Sequence, residues 1–93
     1  RKEVGTFMGK ITATVLGIDE GFQKFEQVDM IRIKSEKYTL LIMDDYMPVI
    51  GRIDGMVEIV SGEDTRSFQP IHGFYTHRKN TFELLIKEDA DVR

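Results

Sequence analysis

The sequence contains no cysteine. That absence excludes disulfide frameworks, zinc knuckles and thiol chemistry, and it leaves a cytoplasmic location as the default expectation. No apolar run approaches the roughly 18 residues that cross a bilayer. The opening Arg1-Lys2-Glu3-Val4-Gly5 is not followed by an apolar signal-peptide core. Residue 1 is Arg rather than Met, so the natural N-terminus is expected to lie upstream or to have been processed. A basic excess is also missing. The net charge is -3 and the pI is near 5.3, which argues against a domain whose affinity comes from neutralising phosphates. Two local basic clusters remain, Arg1-Lys2 and His77-Arg78-Lys79. The second, with Asn80, lies between apolar segments and reads as a solvated hairpin tip. Glycine-rich phosphate loops are absent, and helical periodicity is nearly so.

Hydrophobic residues make up 41% and charged residues 31%, a balance that supports one folded domain over residues 1–93. The segments 1–8 and 88–93 are expected to be flexible ends. The dominant apolar period is two, the period of strands. Ile11, Ala13 and Val15 alternate with Thr12, Thr14 and Leu16. Tyr38 to Met43 is apolar on both faces and predicts a central, doubly covered strand. Met56–Val60 and Thr65–Phe68 flank a Ser-Gly-Glu-Asp turn, and Phe74–Thr76 and Phe82–Lys87 flank the Arg78-Lys79-Asn80 tip, so two hairpins are predicted. The stretch Asp19–Ile33 is ambiguous, because Phe22, Phe25 and Val28 fall at a spacing a helix could use. Gly21 weakens the helix, and a slip of phase between Met30 and Ile31 suggests strands joined by a bulge or a switch between sheets.

Many short strands separated by turns predict an all-β fold, a small two-sheet antiparallel β-sandwich, with a small β-barrel as the alternative. The expected core is Val15, Tyr38, Leu40, Ile42, Val57, Ile59, Phe74, Phe82, Leu84 and Ile86. Exposed sheet edges could pair with a second copy of the chain.

The segment Asp44–Gly55, DDYMPVIGRIDG, concentrates three carboxylates, a tyrosine, a proline and two glycines. Asp44 and Asp45 are adjacent and point apart in extended chain, and Asp54-Gly55 is turn chemistry, so neither calcium binding nor carboxylate catalysis is expected. His72 and His77 are five apart, which puts them on opposite faces of a strand and disfavours a shared metal. Ser35, Ser61 and Ser67 have no nucleophile-elbow context. No catalytic, metal-binding or cofactor-binding residue is therefore assigned, and no enzymatic activity is expected.

The order of segments from Ile11 to Ile86 resembles the N-terminal β-sandwich domain of the epsilon subunit of F-type ATP synthases. The matching stretches are Glu26-Gln27-Val28-Asp29-Met30-Ile31-Arg32-Ile33, Ile42-Met43-Asp44-Asp45-Tyr46-Met47-Pro48-Val49, Gly55-Met56-Val57-Glu58-Ile59, Ile71-His72-Gly73-Phe74 and Asn80-Thr81-Phe82-Glu83-Leu84-Leu85. Val28-Asp29, Pro48, Gly55, Gly73 and Phe74 carry the likeness. Asp45-Tyr46 stands where the family places Gly-His. The resemblance implies a sandwich of two packed sheets with a non-catalytic, protein-binding role. In that family the domain sits on the rotor stalk and is followed by a helical hairpin, which these 93 residues do not encode.

The expected function is accordingly a protein-interaction or assembly module, a diverged accessory protein whose partner is another protein. Its binding residues are expected to be Asp44, Asp45, Tyr46, Met47 and Pro48, because an aromatic and a methionine beside charges on a loop suit an interface. One alternative is a small barrel binding single-stranded nucleic acid through Arg32, Arg52, Arg78 and Lys79 with stacking aromatics. Another is a genuine rotor-stalk subunit of an ATP synthase.

Overall fold

A computed structural model describes residues 9–87; the expectation of flexible ends concerns segments outside the described residues. The fold is all-β: β1 (Ile11–Gly17), β2 (Gly21–Val28), β3 (Met30–Ser35), β4 (Thr39–Ile42), β5 (Val49–Ser61), β6 (Asp64–Arg78) and β7 (Thr81–Ile86). All seven belong to one hydrogen-bonded sheet in the order β2-β1-β7-β6-β5-β3-β4. Every neighbouring pair is antiparallel except β1 with β7, which is parallel.

The two long strands connect the layers. β5 has 13 residues and β6 has 15. Their pairing runs Gly55 to Ile71 and then Val57 to Phe68, so Met56 faces both Gln69 and Pro70. This β-bulge reverses the inward phase of β6, from Phe68 to Ile71, at a proline that has no ladder N–H to lose. On one side of it lie β2, β1, β7 and the adjoining parts of β6 and β5; on the other lie the remainder of β5 and β6 with β3 and β4. Buried side chains from both halves form a single cluster. The Phe25 ring of β2, at one end of the sheet order, meets Phe68 beyond the bulge edge-on at 6.5 Å. The sheet thus folds over on itself, and the two layers of the sandwich are halves of one continuous sheet.

The ambiguous segment resolves into β2 and β3, with no helix. Asp29 is the corner at which the chain leaves one half for the other, since β2 pairs with β1 while β3 pairs with β4 and β5. The corner is fastened to the β5–β6 turn. Asp29 N–H donates to Val60 O at 2.8 Å, Gly62 N–H donates to Asp29 Oδ2 at 2.7 Å, and Ser61 Oγ donates to Gln27 O at 3.0 Å. Both predicted hairpins form. The first turns through Gly62 at φ 64°, and the second through Lys79 and Asn80 at φ 52° and 58°, the left-handed pair that two-residue hairpin loops require.

Alternation places Ile11, Ala13, Val15, Ile31, Ile33, Ile53, Val57, Ile59, Phe82 and Leu84 inside, each worth about 1.5–3 kcal/mol when a large apolar side chain is fully buried. Three expectations about the core need correction. Tyr38 to Met43 is not central: β4 is a four-residue edge strand paired only with β3, and Leu41 and Met43 are exposed. Tyr38 lies at the rim, where its hydroxyl donates to Arg52 O at 2.5 Å and lies 3.2 Å from the Tyr75 hydroxyl. Phe74 points outward, because Tyr75 and Gly73 take the inward phase of β6.

Candidate functional site

The outer face of the five-strand half carries an apolar row that the strand register assembles. Phe22 of β2 pairs with Leu16 of β1, Leu16 with Leu85 of β7, Leu85 with Phe74 of β6, and Phe74 with Arg52 of β5. Directly paired residues point to the same side of a sheet, so these four apolar side chains stand next to one another. Neighbouring strands are about 4.8 Å apart, which makes the row about 14 Å long. Their relative exposures are 66%, 50%, 48% and 41% from Phe22 to Phe74. On β6 and β7 each immediate neighbour in sequence, such as Tyr75 and Leu84, is buried, as is Val15 before Leu16 on β1. The alternation that fills the core is therefore unbroken, and the outward positions are apolar as well.

Charge is uneven along the row. The Phe74 end is charged, with Arg52 opposite on β5 and Lys87 Nζ 5.1 Å from the Phe74 ring centroid, and with Asp54 and Glu83 two residues along on the same face. At the Phe22 end Lys24 is neutralised by Glu26 at 3.5 Å. Ile50, 75% exposed, extends the apolar surface one step towards the hairpin tip, where Pro48, Val49, Ile50, Thr76 and Glu83 line an open cavity of about 750 Å³.

The loop expected to bind, Asp44–Pro48, is a fastened corner. Asp44 Oδ1 accepts from Lys10 N–H at 3.0 Å. Asp45, in the left-handed region at φ 63°, donates its N–H to Asn80 Oδ1 at 2.7 Å. Its carboxylate accepts from Asn80 Nδ2 at 3.0 Å and lies 3.6 Å from Lys10 Nζ. The Asn80 hydrogen bond, with the Lys10 charge, holds the Asp45 carboxyl below its ordinary pKa. Tyr46 is half-buried against the core rather than exposed. Met47 is 65% exposed, so it and Pro48 are the apolar side chains this loop leaves open to a partner, beside the exposed carboxylates of Asp44 and Asp45.

The four basic residues considered for nucleic acid are differently occupied. Arg32 is ion-paired with Glu58 at 2.5 Å. Arg52 belongs to the apolar row, while Arg78 and Lys79 sit at the β6–β7 turn. Arg32 faces out from β3 beyond the bulge, and Arg52 lies on the near side of it, so the bent sheet divides the set between its halves.

The two histidines do face opposite ways. His72 is exposed, with Nδ1 3.2 Å from Asp54 Oδ1. His77 is 1% exposed, which corrects its assignment to the solvated tip: only Arg78, Lys79 and Asn80 form the turn end. Among the described residues neither His77 ring nitrogen meets a hydrogen-bonding partner. Its ring is packed by Phe82 at 6.3 Å and Tyr46 at 6.4 Å. Desolvation by this burial lowers its pKa. Among the described residues no three His, Asp or Glu side chains gather as a metal site would need.

The apolar row was missed in the sequence because outward and inward apolar residues follow one another, as in Val15-Leu16, Phe74-Tyr75 and Leu84-Leu85, which hides the polar phase of a strand. The in-phase series Ile71, Gly73, Tyr75, His77 would have placed His77 inside.

No protein-family model matches the chain, and no curated protein matches it in sequence. Among solved structures it is similar to a chain in the central stalk/c-ring of the Tetrahymena thermophila mitochondrial ATP synthase, at a TM-score of 0.65 and 15% identity. The match covers 87% of this chain and 66% of that one. At this identity the likeness is one of fold.

Proposed function

We propose that the protein is a non-catalytic interaction module that docks onto another protein through the outer face of its five-strand half. The observation that carries this reading is the register-aligned row Phe22, Leu16, Leu85 and Phe74. Four large apolar side chains standing in line on water-facing strand positions are costly to leave bare, and contiguous apolar patches of this kind mark interaction sites. Arg52 and Lys87 flank Phe74 and offer cations to carboxylates on a partner, and the open side chains of Met47 and Pro48 form a second, smaller candidate contact.

The assembly most in keeping with the fold is of the rotary ATP synthase type, with this chain as an epsilon-like domain or a diverged accessory relative of one. The structural similarity supports that choice of assembly, and the positions Val28, Asp29, Pro48, Gly55, Gly73 and Phe74 support the epsilon-like form. The cytoplasmic location expected from the sequence is kept as part of this proposal. Nucleic-acid binding is the weaker alternative, because two leucines occupy the middle of the row where stacking would need aromatics, and Arg32 is held by Glu58.

The test is affinity purification of the tagged full-length protein from its own cells, beside Leu16→Asp and Leu85→Asp variants confirmed as folded. The expected result is a partner complex that the wild type retains and both variants lose. Identical partners for all three proteins would overturn the docking face. Absence of every ATP synthase subunit from a complex that does depend on the face would overturn the choice of assembly.

A further inference from the structure

His77 is the only buried polar or charged side chain among the described residues, and the loop that covers it is attached by polar contacts made away from the ring. We infer that the Met43–Pro48 loop is a proton-operated flap: protonation of His77 displaces Tyr46 and opens the loop while the sandwich stays folded.

The argument begins with what surrounds the imidazole. Val49 is its registered partner on β5, Phe82 packs on it from β7, and Tyr46 packs on it from the loop. The nearby charges all lie at the surface: Asp44 and Asp45 in the loop, Lys10 ahead of β1, Glu83 on β7 at the open cavity near the hairpin tip, and Arg78 and Lys79 following His77 in sequence. None of them hydrogen-bonds to the ring. A neutral imidazole in this setting already lacks a partner, and a protonated one would place a cation with two N–H donors among apolar and aromatic groups. Burial is the cause of the lowered pKa, so protons bind preferentially to any state in which the ring reaches water.

The flap is the least costly route to such a state. Moving β7 or β5 would break ladder hydrogen bonds and uncover the core, whereas Tyr46 is only partly buried and lies in a turn held by Tyr46 N–H to Met43 O at 3.1 Å. Its other anchors are Asp44 with the Lys10 N–H and Asp45 with Asn80 and Lys10, and the Asp45 carboxyl, held below its ordinary range, keeps its charge as His77 titrates. The sign follows from linkage. A base whose pKa is lower in the closed state than in the open one favours opening as pH falls below the open value, about 6.5 for a free imidazole. Between about pH 7.5 and pH 5 the open population then rises by up to about 30-fold, the ratio of imidazole binding polynomials for that free value.

Amide hydrogen exchange, corrected for the intrinsic pH dependence, tests this on the intact chain. Protection at Asp45 and Tyr46 is expected to fall by up to about 30-fold over this interval, with protection at Ile53 and Tyr75 unchanged. In His77→Phe, or in His77→Leu should the larger ring not be accommodated, the fall is expected to vanish. Flat protection in the wild type, an undiminished fall in a folded variant, or loss at Ile53 and Tyr75 in step with Tyr46 would each overturn the flap. Nitrogen-15 shifts of the wild-type imidazole decide independently of any variant. Protonation of His77 while Tyr46 stays protected contradicts the proposal, and protonation coincident with its loss supports it.

Discussion

Phe82→Ala and Phe74→Ala form a matched pair, because the two phenylalanines lie on adjacent strands and differ mainly in the face they occupy. Phe82 is 0% exposed, stacks on Tyr75 at 5.7 Å and touches His77. Truncating it removes the transfer free energy of a buried ring, breaks an aromatic pair and leaves a cavity, together about 3–5 kcal/mol. Small domains are stable by roughly 5–15 kcal/mol, so the loss is a large share of the whole. Phe74 is 41% exposed and lies beneath Lys87, and its removal should cost about 1 kcal/mol, the size of a partly covered surface contact. Urea unfolding followed by far-ultraviolet circular dichroism measures both, with the slope m checking that each variant unfolds as the wild type does. Equal costs at the two positions would refute the assignment of faces and with it the docking row.

Gly55→Ala should destabilise by more than an ordinary surface change, about 2 kcal/mol or above, because an added Cβ meets the Lys34 carbonyl on β3; thermal unfolding reads this directly. Asp29→Ala should cost about 1 kcal/mol in urea by leaving the Gly62 N–H without its acceptor at the corner between halves. The Tyr75 hydroxyl, desolvated by burial and hydrogen-bonded to Tyr38, has its pKa raised, so one phenol should ionise above the ordinary tyrosine range in an absorbance titration at alkaline pH, and Tyr75→Phe should remove that step. The sign is that of a raised acid: its contribution to stability is complete below the unfolded value near 10 and is lost as pH rises beyond it.

The all-β architecture and both hairpins were legible because period-two alternation and turn residues are local signals, fully present in Ile11–Leu16 and Phe82–Ile86. A break in the pattern was legible as a slip of phase between Met30 and Ile31, although the chain turns just before it, at Asp29. What local pattern could not supply is which strands lie at the edges. Tyr38–Met43 reads as doubly buried because Leu41 and Met43 are apolar, yet its strand has a neighbour on one side only. The parallel β1–β7 pair depends on pairings more than 60 residues apart, for example Thr12 with Thr81, and the ladder continues through the bulge only because Val57 pairs with Phe68 instead of the next residue in phase. The candidate site suffered most from this. A binding loop can be suspected from composition, as Asp44–Pro48 was, but a row made of Phe22, Leu16, Leu85 and Phe74 exists only once four strands are set in register. Fold over activity is the usual limit of such reasoning, since sites are grafted on folds and are built from distant residues.

The central claim is that this outer face meets a protein partner, and site-specific photocrosslinking tests it most directly. A benzophenone side chain placed at Leu85, in the middle of the row, is compared in cells with one at Lys34, an exposed position on β3 beyond the bulge. A discrete adduct with another protein from position 85, and none from position 34, is the predicted result. Adducts of the same pattern and yield from both positions, or none from position 85 in a folded and expressed protein, would contradict the account.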